Sequence, residues 1–211
     1  MKQQHEINSV ELSRAYYETN TQAFVESTLT ADVSSIWEKF LSYIPIGGII
    51  LDWGCGSGRD TKAFIEAGYQ VVATDASKEL CRLASEYSGI PVRNEHFEEL
   101  KDADCYDGIW ACASLLHVPK DKLPAVFQIA AKALKPGGVM YVSFKYGDFE
   151  GERAGRYFTD LTEQGLNSVL KALSNMQIIE SWVTRDVRET RVNEFWLNAI
   201  LAKEEGGSHF A

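Results

Sequence analysis

The sequence lacks several features that would place it in whole classes of protein. No run of about 18 consecutive apolar residues occurs in the 211-residue chain, so we expect no membrane-spanning helix and no membrane partner. The first residues have no apolar core of the kind that a secretion signal needs, and we do not expect export by that route. No solenoid repeat, low-complexity tract or proline-rich linker is present. We therefore expect a globular, cytoplasmic protein.

Cysteine is scarce, and its spacing is uninformative. The four cysteines form no CxxC pair and show no zinc-ligand spacing. They lie in ordinary apolar segments, which is typical of free thiols in a reducing compartment. We expect no bound metal.

Positive charge is also in short supply. Lys and Arg total 21 against 30 Asp and Glu, which gives a formal net charge of -9. Such a field repels phosphate backbones, so we do not expect nucleic acid as a partner unless a local basic patch exists.

What the chain does have is enough apolar material for a sizeable core. Hydrophobic residues make up 45% and charged residues 24%, which excludes disorder and coiled coil. The length suits one large domain better than two. We predict a single domain over 1–211, with a helical cap at 1–45, a core at 46–203 and a disordered tail at 204–211.

From residue 49 onward, short apolar runs alternate with helix-length segments. The predicted strands cover 49–53, 70–74, 91–94, 106–112 and 139–144. This alternation predicts right-handed crossovers and a doubly wound α/β fold. Two further β-rich runs, at 177–183 and 194–201, follow each other without a helix and predict an antiparallel pair at the edge of the sheet.

Three glycines at alternate positions follow the first predicted strand. Gly54, Gly56 and Gly58 permit a tight turn and leave no Cβ between the backbone and a ligand, where the next helix presents its free N–H groups. Ligands of open α/β sheets bind beyond the carboxyl ends of the strands. The pattern indicates a nucleotide-like ligand, since a mere tight turn ordinarily needs only one glycine.

The residues that follow the glycine loop indicate which class of nucleotide-like ligand is expected. Arg59 stands where a dinucleotide fingerprint has its third glycine. Asp75 comes 21 residues after Gly54, at the end of the second strand, where a carboxylate can accept hydrogen bonds from two ribose hydroxyls. These features favour a ribose-bearing ligand without a pyrophosphate. The alternative for Asp75 is an ordinary turn residue before a helix.

Four segments occur in a fixed order between residues 49 and 144: LDWGCGSGRD, VVATDAS, YDGIWACASLLHVP and LKPGGVMYVSF. Together they resemble the class I S-adenosylmethionine-dependent methyltransferase family, and YYETNTQAF resembles the N-terminal cofactor lid of its small bacterial members. Tellurite-resistance-type and ubiquinone-biosynthesis-type methyltransferases are similar groups. The resemblance implies a Rossmann-like, seven-stranded, mostly parallel sheet with an antiparallel last strand. It also implies S-adenosylmethionine as cofactor and S-adenosylhomocysteine as product.

The resemblance assigns cofactor contacts. Asp52 and the loop 54–58 are expected to hold the methionine part, Asp75 the ribose, and the small residues after the fourth strand to pass under the methionine. Tyr17 either covers the cofactor or packs within its helix. The predicted cofactor-binding residues are Tyr17, Asp52, Gly54, Cys55, Gly56, Ser57, Gly58, Asp75, Ala76, Ser77, His96, Phe97, Ala111, Cys112 and Ala113.

The adenine contact is the least defined of these. The family usually has an acidic residue after the third strand, and here that place aligns best with His96-Phe97, where the acid is absent. We expect Phe97 to pack against the purine with His96 at its edge. If the register is shifted by one residue, Glu95 contacts the adenine instead. The remaining alternative is a surface loop whose Phe97 packs in the core and contacts no ligand.

His117 is the candidate for acid–base chemistry, because a reference pKa of about 6.5 suits proton transfer near neutral pH. A ligand contact and a structural role are the other interpretations, since many methyltransferases need only position the acceptor. We expect Lys145, Tyr146 and Tyr157 to line the acceptor side together with His117, the alternative being a solvated loop.

We therefore expect methyl transfer to a small-molecule acceptor by a monomer or homodimer. One alternative is methylation of RNA or protein, which needs a basic patch built from Lys145, Arg153, Arg156, Arg185, Arg188 and Arg191. The other is a non-catalytic module that binds the cofactor. The glycine loop and Asp75 favour cofactor binding in either case.

Overall fold

The computed structural model describes residues 2–188 and 191–204, with side chains from residue 11 onward. From residue 205 on, the predicted disordered tail lies outside the described residues. The helices are α1 (Lys2–Leu29), α2 (Ser34–Leu41), α3 (Arg59–Glu66), α4 (Lys78–Ser88), α5 (Leu123–Ala133) and α6 (Glu163–Leu170). The strands are β1 (Ile49–Trp53), β2 (Gln70–Asp75), β3 (Val92–Asn94), β4 (Tyr106–Ala111), β5 (Leu134–Lys145), β6 (Glu150–Arg153), β7 (Arg156–Thr159), β8 (Met176–Arg185) and β9 (Phe195–Lys203).

Seven of these strands form one sheet in the order β3-β2-β1-β4-β5-β9-β8. The first five are parallel, and β9 runs antiparallel to both β5 and β8. The predicted α/β class and the seven-stranded sheet with an antiparallel last strand are confirmed. The winding direction reverses between β1 and β4, and such a switch point is where ligands of this architecture bind.

The parallel strands are buried on both faces, which is why they appear in the sequence as continuous apolar runs. On one face Leu51 and Trp53 of β1 belong to a core cluster with Phe127 of α5. On the other face Ile50 packs in a cluster with Phe40 of α2. Covered on both sides, the sheet presents its strand ends, rather than its faces, to ligands.

The main departure from the predicted elements lies between β5 and α6. The sequence there reads as a Gly-rich charged loop, but β6 and β7 form an antiparallel hairpin in which Arg153 pairs with Arg156. The two residues between them, Ala154 (φ 51°) and Gly155 (φ 74°), both have positive φ. Positive φ at both central positions is the geometry of a tight hairpin turn, and alanine at the first position hides that signal.

Helix α1 packs against β7 and α4. Its backbone departs from helical geometry at Asn20 (φ -112°, ψ 20°), whose side chain donates to the Tyr16 carbonyl at 2.9 Å. The helix is therefore kinked at this residue. No helix in the part of the chain that the structure describes is long and apolar enough to span a membrane.

Candidate active site

A cavity of about 260 Å³ lies beyond the carboxyl ends of β1, β2 and β4, with α1 over it. It occupies the switch point between β1 and β4. The loops after β1 to β4 form one side, and residues of β5, β7, β8 and β9 extend it on the other.

The glycine loop after β1 forms part of the wall. Gly54, Gly56 and Gly58 have φ of 84°, 56° and 77°, values that residues with a Cβ rarely adopt. The backbone N–H groups of Gly54 and Cys55 both donate to the Thr74 carbonyl at 2.9 Å. A Cβ on Gly54 would lie 2.5 Å from that of Ser114. The loop is therefore pinned to β2 and packed too tightly for a side chain at Gly54.

Asp75 ends β2 beside this loop. Its two carboxylate oxygens accept from the backbone N–H groups of Gly56 and Ser77, each at 2.9 Å. Burial raises the pKa of Asp75, while these two hydrogen bonds act in the opposite direction. Because each carboxylate oxygen can accept a second hydrogen bond, Asp75 keeps acceptor capacity toward the cavity that it lines.

The segment after β3 brings Glu95, His96 and Phe97 to the same cavity. Phe97 packs edge-on against Trp53, with ring centroids 5.0 Å apart. Glu95 donates its backbone N–H to the Asp75 carbonyl at 3.0 Å, and burial raises the pKa of its carboxyl. The Oε1 atom of Glu95 is buried and has no hydrogen-bond partner among the described residues. An acid thus lines the cavity one place before the position that the sequence alignment favoured.

Three predicted cofactor residues, Asp52, Gly58 and Ala111, do not line the cavity. Asp52 accepts from the Thr61 hydroxyl at 2.5 Å and is only 2% exposed. Burial and the negative charge of Asp60 raise its pKa well above the ordinary range. The other predicted cofactor residues line the cavity: Tyr17, Gly54, Cys55, Gly56, Ser57, Asp75, Ala76, Ser77, His96, Phe97, Cys112 and Ala113.

His117 is held between two hydrogen bonds that define its protonation state. Nδ1 lies 2.7 Å from the Tyr157 carbonyl oxygen, which only accepts, so Nδ1 carries the proton. Burial lowers the pKa of His117 to about 4, so the ring is neutral near pH 7. Nε2 is then the acceptor for the Tyr17 hydroxyl at 2.9 Å. The imidazole thereby fastens α1 over the cavity.

The predicted acceptor residues separate into two groups. Lys145 and His117 line the cavity, whereas Tyr146 and Tyr157 do not. Tyr146 is exposed and donates to Glu163 at 3.0 Å, and Tyr157 donates its hydroxyl to Glu150 at 2.8 Å. Side chains alternate along a strand, so Phe158 of β7 faces the cavity while Tyr157 faces away.

The sequence interpretation missed Asp60 and the role of Arg59. Asp60 accepts from the indole N–H groups of Trp37 (3.0 Å) and Trp110 (2.7 Å), and it pairs with Arg59 at 2.6 Å. Arg59 also donates to the Thr28 carbonyl at the end of α1, at 3.2 Å. The arginine that replaces the third glycine thus ties the covering helix to the glycine loop. The roles of Arg59 and Asp60 could not be predicted from the local sequence, because their hydrogen-bond partners lie on α1, α2 and β4.

The family model of a methyltransferase domain matches residues 50–138. That segment runs from β1 into β5 and carries the glycine loop, Asp75 and His117. Residues 50–138 therefore match a methyltransferase domain. The cofactor of this family is S-adenosylmethionine, as the resemblance in sequence implied.

A curated relative matches about half of this chain. A ubiquinone biosynthesis O-methyltransferase of Xanthomonas axonopodis pv. citri is 36% identical over 106 residues, which make up 47% of this chain and 44% of that protein. The chain thus matches less than half the length of this curated relative.

Two solved structures share the fold of the methyltransferase domain. The 1,6-didemethyltoxoflavin-N1-methyltransferase of Burkholderia thailandensis, with bound 1,6-didemethyltoxoflavin and S-adenosylhomocysteine, has a TM-score of 0.73 at 24% identity and covers 95% of this chain and 90% of its own. The [4+2]-cyclase SpnF has a TM-score of 0.68 at 14% identity and covers 92% of this chain and 95% of its own. At these identities the similarity shows a shared fold only. The second protein is named for a cyclisation and not for a methyl transfer, so the fold alone does not define the reaction.

Proposed function

We propose that this chain binds S-adenosylmethionine in the cavity under α1 and transfers its methyl group to a small-molecule acceptor. The observation that carries the proposal is that the glycine loop and Asp75 meet at the switch point of the sheet, inside a cavity that also contains neutral His117. A turn that served only to connect β1 with α3 would need neither the fixed carboxylate nor a covered cavity.

The cofactor-binding roles follow from this arrangement. The free backbone of the loop 54–58 supports the methionine part, and Asp75 accepts from the ribose hydroxyls. Phe97 packs on the adenine, and the unpartnered Oε1 of Glu95 accepts from the adenine amino group. Glu95 therefore takes the place that the sequence alignment gave to His96.

S-adenosylmethionine supplies an electrophilic methyl group on a positively charged sulfur. The residues of this chain align the acceptor with that group and exclude water by means of α1. His117 presents an unprotonated Nε2 to its ligand side, which suits a hydrogen bond from the acceptor after Tyr17 withdraws. The Cys112 thiol does not act as a nucleophile, because burial raises its pKa to about 12.

The small-molecule acceptor is favoured by the shape of the site. Ligand pockets commonly have volumes of about 300–1,000 Å³. The cavity under α1 has a volume of about 260 Å³, near the lower end of this range, which suits small ligands better than a folded macromolecule. Of the basic residues that an RNA-binding patch would need, Lys145, Arg156, Arg185, Arg188 and Arg191 line the cavity, and Arg153 pairs with Asp160 at 2.9 Å.

Titration calorimetry with S-adenosylmethionine and S-adenosylhomocysteine tests the binding step. We expect dissociation constants in the micromolar range or tighter, since most of the family's cofactor contacts are present. The absence of both heat and thermal shift in folded protein would overturn the proposal.

Incubation with methyl-labelled cofactor and a fractionated cell extract tests the transfer step. We expect the label in the small-molecule fraction. Label in RNA or protein would support the first alternative, and binding without any transfer would support a non-catalytic module.

A further inference from the structure

Apart from Arg14, which pairs with Glu11, and the Arg59–Asp60 pair, the charged lining of the cavity is divided by sign. Beyond β2 and β3 it is acidic, with Asp75, Glu95 and Glu98. On the side of β5, β7, β8 and β9, five cations share two carboxylates among the described residues. The cations are Lys145, Arg156, Arg185, Arg188 and Arg191, and the carboxylates are those of Asp186 and Glu194. This excess of positive charge stands out in a chain whose formal net charge is -9.

Arg156 lacks a carboxylate partner among the described residues. Its Nε is buried without a hydrogen-bond partner, and its Nη1 reaches only the Tyr17 hydroxyl, at 3.4 Å. The guanidinium lies over the ring of Tyr16 with 4.5 Å to the centroid, and 5.0 Å from that of Phe158. Stacking holds the plane of the guanidinium while leaving N–H donors unused. A buried donor without an acceptor is costly, so Arg156 favours a ligand that places acceptor oxygens beside its guanidinium.

Two other arginines of this region, unlike Arg156, form ion pairs with carboxylates. Arg153, opposite Arg156 in the hairpin, makes two hydrogen bonds to Asp160 at 2.9 and 3.1 Å. Arg188 binds both carboxylate oxygens of Asp186 at 2.8 and 2.6 Å. Arg156 and the exposed Arg185 line the cavity without a carboxylate partner among the described residues, and only Arg156 has a buried, unpartnered donor. Arg156 is therefore better suited to bind a ligand than to stabilise the fold.

Lys145 and Trp196 extend the same subsite. Lys145 pairs with Glu194 and lies over the Trp196 ring, with Nζ 5.0 Å from the centroid. Burial, together with the charges of Arg191 and Arg153, lowers the pKa of Lys145 to about 8, which reflects the crowding of cations. The flat faces of Trp196 and Phe158 line the cavity beside these charges.

We propose that the methyl acceptor is a planar small molecule that carries a carboxylate, and that Arg156 binds this carboxylate beside Lys145. The inference rests on the proposed function and adds the chemical class of its substrate. A carboxylate fits the planar fork of an arginine with two parallel hydrogen bonds. RNA fits less well, because these cations converge on a covered cavity instead of spreading over a surface.

Calorimetry on the full chain saturated with S-adenosylhomocysteine tests this assignment. The probes are benzoate, 3,4-dihydroxybenzoate and nicotinate, each compared with its uncharged amide: benzamide, 3,4-dihydroxybenzamide and nicotinamide. We expect at least one acid to bind about 10-fold or more tightly than its amide. Equal binding within every pair, or no binding of any probe up to about 10 mM, would overturn the assignment. Tighter binding of phenyl phosphate than of every carboxylate would also overturn it.

Arg156→Gln provides the residue-level test, with Arg82→Gln as the matched control. Arg82 is exposed on α4 and pairs with Glu79 and Glu86, away from the cavity lining. We expect Arg156→Gln to lose about 10-fold or more in affinity for the acid and to abolish the preference over the amide, while the control retains both. Unchanged affinity in Arg156→Gln contradicts the proposal. Binding of S-adenosylhomocysteine is measured first in each variant, so a failure of cofactor binding is recognised separately from a failure of acid binding.

Discussion

Two backbone N–H groups, those of Gly56 and Ser77, hold the carboxylate oxygens of Asp75, each at 2.9 Å. A fixed acceptor avoids the entropy cost of ordering a flexible side chain when the ribose binds. In the proposed enzyme this residue therefore contributes more to affinity than an exposed aspartate would.

Replacing Asp75 by alanine is expected to weaken cofactor binding by about 1.5 kcal/mol or more, roughly 10-fold, because a charged acceptor to two hydroxyls is lost. Calorimetry with S-adenosylhomocysteine measures the change. Glu66→Gln serves as control, since Glu66 is an exposed acid on α3 that pairs with Lys62. A dissociation constant for Asp75→Ala equal to that of the control would mean that the ribose binds elsewhere.

His117 is expected to affect turnover only modestly. Its pKa of about 4 makes it a weak base, so His117→Asn should lower turnover about 10-fold or less, and the rate between pH 6 and 8 should show no inflection due to this residue. Initial rates of methyl transfer across this pH range provide the measurement. A loss of about 100-fold, together with removal of an inflection, would instead identify a general base.

The same imidazole also affects stability. Between its folded pKa of about 4 and the ordinary value of about 6.5, the unfolded chain binds the proton and the folded chain does not. The contribution of His117 to stability therefore rises with pH through this window and is complete above it. Urea midpoints at pH 4.5 and 7 should differ less in His117→Asn than in the parent chain.

The sequence alone indicated which residues lie at the cavity where their position depends only on the local chain. The glycines and Asp75 follow directly from a strand, a turn and a helix start. It did not place Tyr157, because the side chain's direction depends on the register of a hairpin that was not foreseen. It also missed the isolation of Arg156, since a missing partner becomes visible only when all neighbouring elements are in position.

At the scale of elements, the turns before and after α3 separate two costs of adding a side chain to glycine. Gly54 has φ 84° and almost no space, with a neighbouring Cβ at 2.5 Å from the ideal Cβ position. Gly68, at the end of α3, has φ 91° and no atom within 4 Å of that position.

We expect Gly68→Ala to cost about 1–2 kcal/mol of unfolding free energy from backbone strain alone. Gly54→Ala should cost clearly more, because strain and a steric clash with Ser114 add together. Denaturant unfolding of both variants gives the comparison. Equal losses would show that the loop can move away from Ser114 and is not rigidly packed.

The order of elements from β1 to β5 was predictable because each strand is a short apolar run followed by turn residues and a helix. The β6–β7 hairpin was not, since its turn uses alanine at a positive φ. The sequence predicted β8 and β9 as an antiparallel pair at the edge of the sheet. It did not predict that β9, rather than β8, lies next to β5, because that order depends on tertiary packing.

At the scale of the whole molecule, negative charge dominates and the basic groups gather around the cavity. We therefore expect single-stranded RNA to bind no more tightly than about 10⁻⁴ M at physiological salt, which is the weak end of non-specific binding. Fluorescence anisotropy with a labelled oligonucleotide measures this. Tighter binding that falls steeply with salt and disappears in Arg156→Gln would favour the RNA alternative.

Helix α1 lies over both the glycine loop, through Phe24 beside Gly56, and the hairpin, where Ser13 accepts from the Tyr157 backbone N–H at 3.0 Å. In the proposed enzyme, the two products therefore leave past the same helix. Departure requires the Tyr17–His117 contact to break, and such openings often take longer than bond making. Where such opening is the slow step, hydrogen bonds along one helix set the number of catalytic cycles per second. Sequence changes far from the reacting atoms then make the catalyst faster or slower without altering its chemistry.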